Sequence, residues 1–286
     1  MICISGLKTG SRRMVIDGHA HSCGSFYSGE KIIEILDELK VDKVVLTPGQ
    51  INDQRNYNFP GIARLFPNRD VVLKTNKFIR LLTLPAILKK NLLVRNEFVY
   101  RLSRQYPDRI IQFFWVNPNN SNVIDELEDK YSKWNVKGIK THQCIDAFDS
   151  DSWMMYSLAE FAREKHIPIF IHLYLKADVM RFLKLAKDNP ETNFIIAHLI
   201  GLEIFEEAGL KIQNVYFDIS PTRMTSEKRI MKAINLLGAD HLILGSDTPY
   251  GNENLRTNIE KVNRLKISQD HKELIMGRNM QRILGL

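Results

Sequence analysis

Met14-Val-Ile-Asp-Gly-His-Ala-His21 is the stretch that decides how the rest of the chain reads. It begins as a short apolar, β-branched strand and ends in two histidines spaced two apart. In an extended strand alternate side chains share a face, so His19 and His21 project into one cavity. Two imidazole nitrogens placed that way can share a metal ion. A bare HxH pair is a weak signal, and its place at the end of an apolar strand gives it weight.

Outward from this stretch, further strand-like runs recur: KVVLTP (43–48), IIQFFWVNP (110–118), VKGIKTHQ (136–143), IPIFIHLY (167–174), NFIIAHLIG (193–201), NVYFDISP (214–221) and HLILGSDTPY (241–250). Amphipathic stretches separate them. GEKIIEILDELK, for example, puts Ile32, Ile33, Leu36 and Leu39 on one helical stripe. Such alternation means parallel strands with right-handed crossovers, in either an open sheet or a closed barrel. The strand ends choose between the two. His172 ends IPIFIH, His198 ends NFIIAH and Asp247 ends LILGSD. A barrel delivers the C-terminal ends of all its strands to one face, where these groups converge. The expected fold is α/β, a (β/α)8 TIM barrel with an insertion after the second strand.

Residues 14–286 are expected to form the barrel, with the insertion at about 49–95, and residues 1–13 to be an extension outside it. The insertion is basic, carrying Arg55, Arg64, Arg69, Lys74, Lys77, Arg80, Lys89, Lys90 and Arg95 against Asp53 and Asp70. Its expected role is a helical cap over the barrel mouth that attracts anions, or a subunit interface in a homodimer. A membrane-surface helix is the less favoured alternative, because Pro85 interrupts the apolar pattern.

The 286 residues and net charge of +7 suit one soluble domain with a small anionic partner. No apolar run can span a bilayer, and no nucleic-acid-binding motif is present. Cys3, Cys23 and Cys144 are an odd set without a CxxC pair, so a disulfide framework is not expected and a cytoplasmic location is.

The HxH pair, the two later strand-end histidines and the last strand's aspartate together resemble the amidohydrolase superfamily. VIDGHAH, KGIKTH, IPIFIH, FIIAHLIG, ILGSDTPYG and IMGRNMQRIL are similar, in order and spacing, to its amidohydrolase-related branch, which includes aminocarboxymuconate semialdehyde decarboxylase. The resemblance implies that His19, His21, His172 and Asp247 hold one divalent metal ion, zinc first and manganese as the alternative. It implies that Asp247 also moves protons, and that His198 contacts water or substrate or else binds a second ion. Lys140 and His142 lie two apart on the fourth strand and face the barrel as substrate-binding residues. A carboxylated Lys140 would bridge two metals, whereas a cationic Lys140 beside a single metal is the favoured reading. Arg223, after the seventh strand, either binds a substrate carboxylate or is a solvated loop residue. Asp17 is expected to orient the histidines, and Tyr174 and Tyr250 to line the pocket or simply pack.

The leading functional expectation is hydrolysis of a small carboxylated lactone or amide by metal-activated water. The runner-up is non-hydrolytic decarboxylation at the same constellation. A phosphoesterase is less favoured, because Asp247 is followed by Thr248-Pro249 rather than a DxH. A metal-stabilised binding protein without turnover is the non-enzymatic alternative.

Overall fold

The computed structural model describes residues 14–49, 54, 56, 61–87, 92–249 and 253–286. The N-terminal extension with Cys3, part of the insertion (including Asp53, Arg55, Lys89 and Lys90) and Tyr250 lie outside the described residues.

The strands are β1 (Ile16–His21), β2 (Lys43–Thr47), β3 (Ile110–Gln112), β4 (Phe114–Trp115), β5 (Ile139–His142), β6 (Ile169–His172), β7 (Phe194–Ile196), β8 (Val215–Asp218) and β9 (Leu242–Ile243). All pair in parallel, in the orders β1-β2-β3 and β4-β5-β6-β7-β8-β9. The run expected as one strand over 110–118 is divided at Phe113. There the Phe113 N–H bonds back to Leu46 O at 3.0 Å, and the Phe114 N–H bonds forward to Gly138 O at 2.8 Å. The ladder therefore passes through the division.

The other seam is closed by Gly18 N–H to Leu244 O at 2.8 Å, by His21 N–H to Thr248 O at 2.9 Å and by a parallel bridge between Ala20 and Thr248. Gly18 permits this approach, since a Cβ there would lie 2.9 Å from Leu244 O. The result is a closed (β/α)8 barrel.

A bulge in β1 aims the two histidines. Asp17 and Ala20 span three residues opposite the two steps from Val44 to Leu46 on β2. One extra residue reverses the strand's phase, so a chain that enters with Ile16 in the inner core leaves with His19 and His21 also facing inward. The inner core fills the barrel below them with Ile16, Val45, Ile111, Phe113, Phe170 and Ile243. A larger apolar layer packs the strands against the helices. The last helix is tied to the barrel by Asn279, which donates to Ala239 O and Leu242 O at 2.8 and 2.7 Å.

The described part of the insertion is helical: Ile62–Leu65, Val71–Ile87 and the start of Leu92–Gln105. Pro85 does not break the second helix before its last turn. The insertion is anchored on the barrel's C-terminal side. The buried Asn76 donates to Leu173 O and Tyr174 O at 3.0 and 2.9 Å, directly after the end of β6. Ala63 N–H bonds Arg223 O at 3.0 Å. Among the described residues no helix is long and apolar enough to cross a membrane.

Candidate metal centre

His19, His21 and Asp247 meet at the barrel's C-terminal end, all buried. The Nε2 atoms of both histidines lie 3.5 Å from Asp247 Oδ1. Asp247 has φ +54 and is held by its own N–H to His19 O at 2.7 Å. Left-handed backbone costs a non-glycine residue about 1–2 kcal/mol, so the surrounding bonds must hold it there.

Each imidazole is locked from behind. His21 Nδ1 donates to Pro48 O at 2.9 Å and lies 2.8 Å from Thr47 Oγ1, whose hydroxyl is itself directed at Ala20 O. His19 Nδ1 donates to Asp218 Oδ2 at 3.0 Å. With Nδ1 protonated, each Nε2 presents a lone pair toward Asp247. This is the arrangement in which an acceptor behind a histidine fixes the tautomer that a metal needs. Donor atoms of the three residues lie within 4.8 Å of one another, so the site suits a divalent ion on chemistry and spacing.

The electrostatics agree. Burial pushes His19 down to about 3, with Lys140 adding to the effect, and burial also lowers His21 and His172. All three are thereby kept neutral, the form that coordinates metal. Burial would lower His198 too, but Asp247 and Asp218 outweigh it and raise the group. Burial would raise Asp218, yet His19 and His198 hold it far below the usual carboxylate range.

His198 is not at a strand end. It sits on a tight turn after β7 with φ +59, followed by Leu199 with φ +53. Its Nδ1 donates to Ser220 O at 2.8 Å, its N–H bonds Asp218 Oδ2 at 3.3 Å, and its Nε2 faces Asp247 Oδ2 at 3.7 Å.

The structure groups His172 differently from the trio. Its donor atom clusters with those of His142 and Cys144. Its ring stacks on that of His142 with centroids 4.0 Å apart, and Nδ1 lies 3.7 Å from Cys144 Sγ. Trp115 continues the stack on the far side of His142 at 5.6 Å. Lys140 is fully buried, its Nζ 3.2 Å from His19 Nε2 and 4.1 Å from the centre of the Phe170 ring. Lys140 Nζ thus occupies the side of His19 Nε2 that an ion would use, and would have to yield that position to an ion. Arg223 has an exposed side chain on the rim. Tyr174 is half-buried beneath the Arg80 guanidinium, 5.4 Å away.

Asp17 does a different task from the one expected of it. Its Oδ1 accepts the backbone N–H groups of His19 and Ser246 at 3.2 and 2.9 Å, and so pins the chain rather than the ring. Burial raises it to about 7. The carboxylate that orients the His19 ring is Asp218, which the sequence reading passed over. Its signal was present, because Asp218 ends VYFD as Asp247 ends LILGSD. Gly245 makes room for it, since a Cβ there would lie 2.2 Å from Asp218 Oδ1 and 2.9 Å from His19 Cβ.

Fold and site together define a barrel enzyme with a buried histidine–carboxylate centre. The amidohydrolase family model matches residues 93–286, and the chain belongs to that family. No curated protein matches it. Among solved structures, a 2,6-dihydroxybenzoate decarboxylase in complex with 2,6-dihydroxybenzoate is 13% identical with a TM-score of 0.70, over 96% of this chain and 100% of that one. A dihydroxybenzoic acid decarboxylase from Polaromonas, with bound manganese and the inhibitor 2-nitroresorcinol, is 13% identical with a TM-score of 0.69, over 96% and 97%. A 4-oxalomesaconate hydratase from Rhodopseudomonas palustris is 15% identical with a TM-score of 0.64, over 95% and 96%.

Proposed function

We propose that this enzyme holds one divalent ion on His19, His21 and Asp247, and removes the carboxylate of a small, planar, unsaturated acid. The observation that carries the reading is that Asp247 has one oxygen toward the two Nε2 lone pairs and the other toward His198, 3.7 Å away. His172 is the further ligand that the family resemblance implies, and its ring would have to leave the stack on His142 to join the other three. Manganese and zinc both suit imidazole and carboxylate donors, and manganese is present in a similar structure.

When bound, the ion would polarise a substrate oxygen and offset its negative charge. The chain's own residues supply the rest. Lys140, buried and cationic, holds the anionic end of the substrate. The flat rings of Trp115, His142 and His172 make a dry wall for a planar acid, in which fixed charges act more strongly than in water. His198 holds a proton against Asp247. As the bond between carbon and carboxylate breaks, carbon dioxide leaves and the electron pair stays on the ring carbon. The His198 proton moves to that carbon and is replaced from solvent, so a carboxylate plus a proton yields carbon dioxide and the decarboxylated product. Hydrolysis remains the second reading, because Asp247 lies where it could also take a proton from water.

The test is carbon dioxide release by manganese-loaded protein from a panel of hydroxybenzoates, 2,6-dihydroxybenzoate among them, and unsaturated dicarboxylates. The expected result is release from at least one acid that His198→Gln abolishes. Turnover confined to lactones or amides, with no carbon dioxide from any acid, would overturn decarboxylation in favour of hydrolysis.

A further inference from the structure

We propose that Asp70, from the insertion, and Arg229 are positioning residues for His198, so that the insertion is a fixed working part of the site. The starting point is the backbone at the end of β7. His198 and Leu199 are consecutive non-glycine residues with φ +59 and +53, and Gly201 follows with φ +79. Two such residues in a row do not hold themselves in place. Below the turn, Asp218 and Ser220 grip His198 directly. Above it, two other residues grip the chain that follows.

Arg229 is 2% exposed, and its NH2 donates to Leu199 O at 2.8 Å. The same guanidinium takes Glu203 with both of its terminal nitrogens, NH2 at 2.9 Å from Oε2 and NH1 on Oε1. Its planar fork cannot serve the carbonyl and the carboxylate in another orientation. Asp70 lies beside it, with Oδ2 at 3.5 Å from NH2 and accepting the Gly201 N–H. The other oxygen, Oδ1, caps the insertion's long helix by accepting Leu73 N–H at 2.9 Å. One carboxylate therefore joins the first turn of the insertion helix to the turn that carries His198. A second tie lies alongside, where the Ser226 hydroxyl donates to Pro67 O.

Gly201 cannot be replaced by a residue that would shift this load, since a Cβ would meet Val179 Cγ1 at 2.6 Å. The turn is thus clamped from both sides. The upper clamp comes from the insertion, 131 residues before Gly201, in one arm and from the helix Glu227–Leu237, beyond β8, in the other. Loosening it lets Leu199 relax its backbone and swings the His198 ring away from Asp247.

The kinetic arm of the test rests on the proton-donor reading of His198, and the spectroscopic arm does not. Asp70→Asn keeps the helix cap but removes the charge facing Arg229. Arg229→Lys keeps the charge but removes the fork. Both are prepared as zinc-loaded protein with 15N-labelled histidine, and the His198 ring signals are assigned by their loss in His198→Gln. The expected result is a displaced or broadened His198 signal in both variants, with the buried His241 unchanged as an internal control. On whichever acid the wild type decarboxylates, kcat should fall by about 10- to 100-fold with KM within about threefold, as for a displaced catalytic group. An unmoved His198 signal, whatever happens to the melting temperature, would overturn the proposal and leave the pair as fold-holding residues. Undiminished turnover in His198→Gln would instead sink the proton-donor reading, while the ring signals would still decide the positioning claim. Should Arg229→Lys not fold, Asp70→Asn alone decides it.

Discussion

The two sides of the barrel mouth are built differently. On the β1 side every ring is backed by oxygen: His19 by Asp218, and His21 by Pro48 O and Thr47 Oγ1. Asp247 is pinned there by its N–H to His19 O. On the β5–β6 side the rings lean on one another. His142 stacks between Trp115 and His172, and the His172 ring meets a thiol at 3.7 Å from Nδ1 and the Leu173 backbone. Acceptors behind an imidazole fix its tautomer and direction, whereas stacking fixes a plane and leaves rotation within it. We read the first side as the pre-organised ion holder and the second as the adaptable, substrate-facing wall.

The comparison breaks most visibly at Asp247. Asp247→Ala should release the ion and lower turnover by about 1,000-fold or more, since it removes a ligand and a proton carrier together. Retained metal after dialysis, measured by elemental analysis, would show that the β1 side is not the holder. Next come the supports. Asp218→Asn should weaken ion binding by about 10- to 100-fold in titration calorimetry. Gly245→Ala should do the same, because its methyl group displaces Asp218. Wild-type affinity in both would remove the backing carboxylate from the account.

The stability of chelator-treated protein gives a third, intermediate effect. Folded His19 titrates at about 3 against an ordinary 6.5. Between those values the unfolded chain holds a proton that the folded chain refuses, so the melting temperature should fall as pH drops through this window. Asp17, raised to about 7, pulls the other way, and the lowered His21 and His172 reinforce His19. His19→Gln should flatten the curve, and parallel curves for variant and wild type would contradict the assignment. The smallest effects belong to the other side and the rim. Cys144→Ser should change ion affinity by less than about tenfold, below the range for a true backing group. Arg223→Gln, at an exposed position, should alter KM by no more than about fivefold, in keeping with a screened surface charge. A larger loss in either would erase the contrast between the two sides or place the rim arginine on the substrate.

Much of this was legible in the sequence, for identifiable reasons. Period-two spacing on a strand exposed His19 and His21; the run LILGSD pointed to Asp247, although β9 ends at Ile243 and Asp247 follows it, held by its N–H on His19 O. The same end-of-run reading reaches Asp218, which ends VYFD. The β1 bulge was not readable, since it is a property of the pairing between two strands rather than of either one. Nor was the left-handed turn at His198, which local propensity disfavours and which partners distant in the chain impose. The insertion read as basic and helical, but Asp70, one of its two acids, ties it to the barrel by accepting the Gly201 N–H.

Anomalous diffraction from crystals soaked in manganese or zinc tests the central claim most directly. The account predicts one peak, bounded by His19 Nε2, His21 Nε2 and Asp247 Oδ1, with Lys140 Nζ displaced from its place 3.2 Å from His19. A peak among His142, Cys144 and His172 instead, or no peak in a well-ordered crystal, would contradict it.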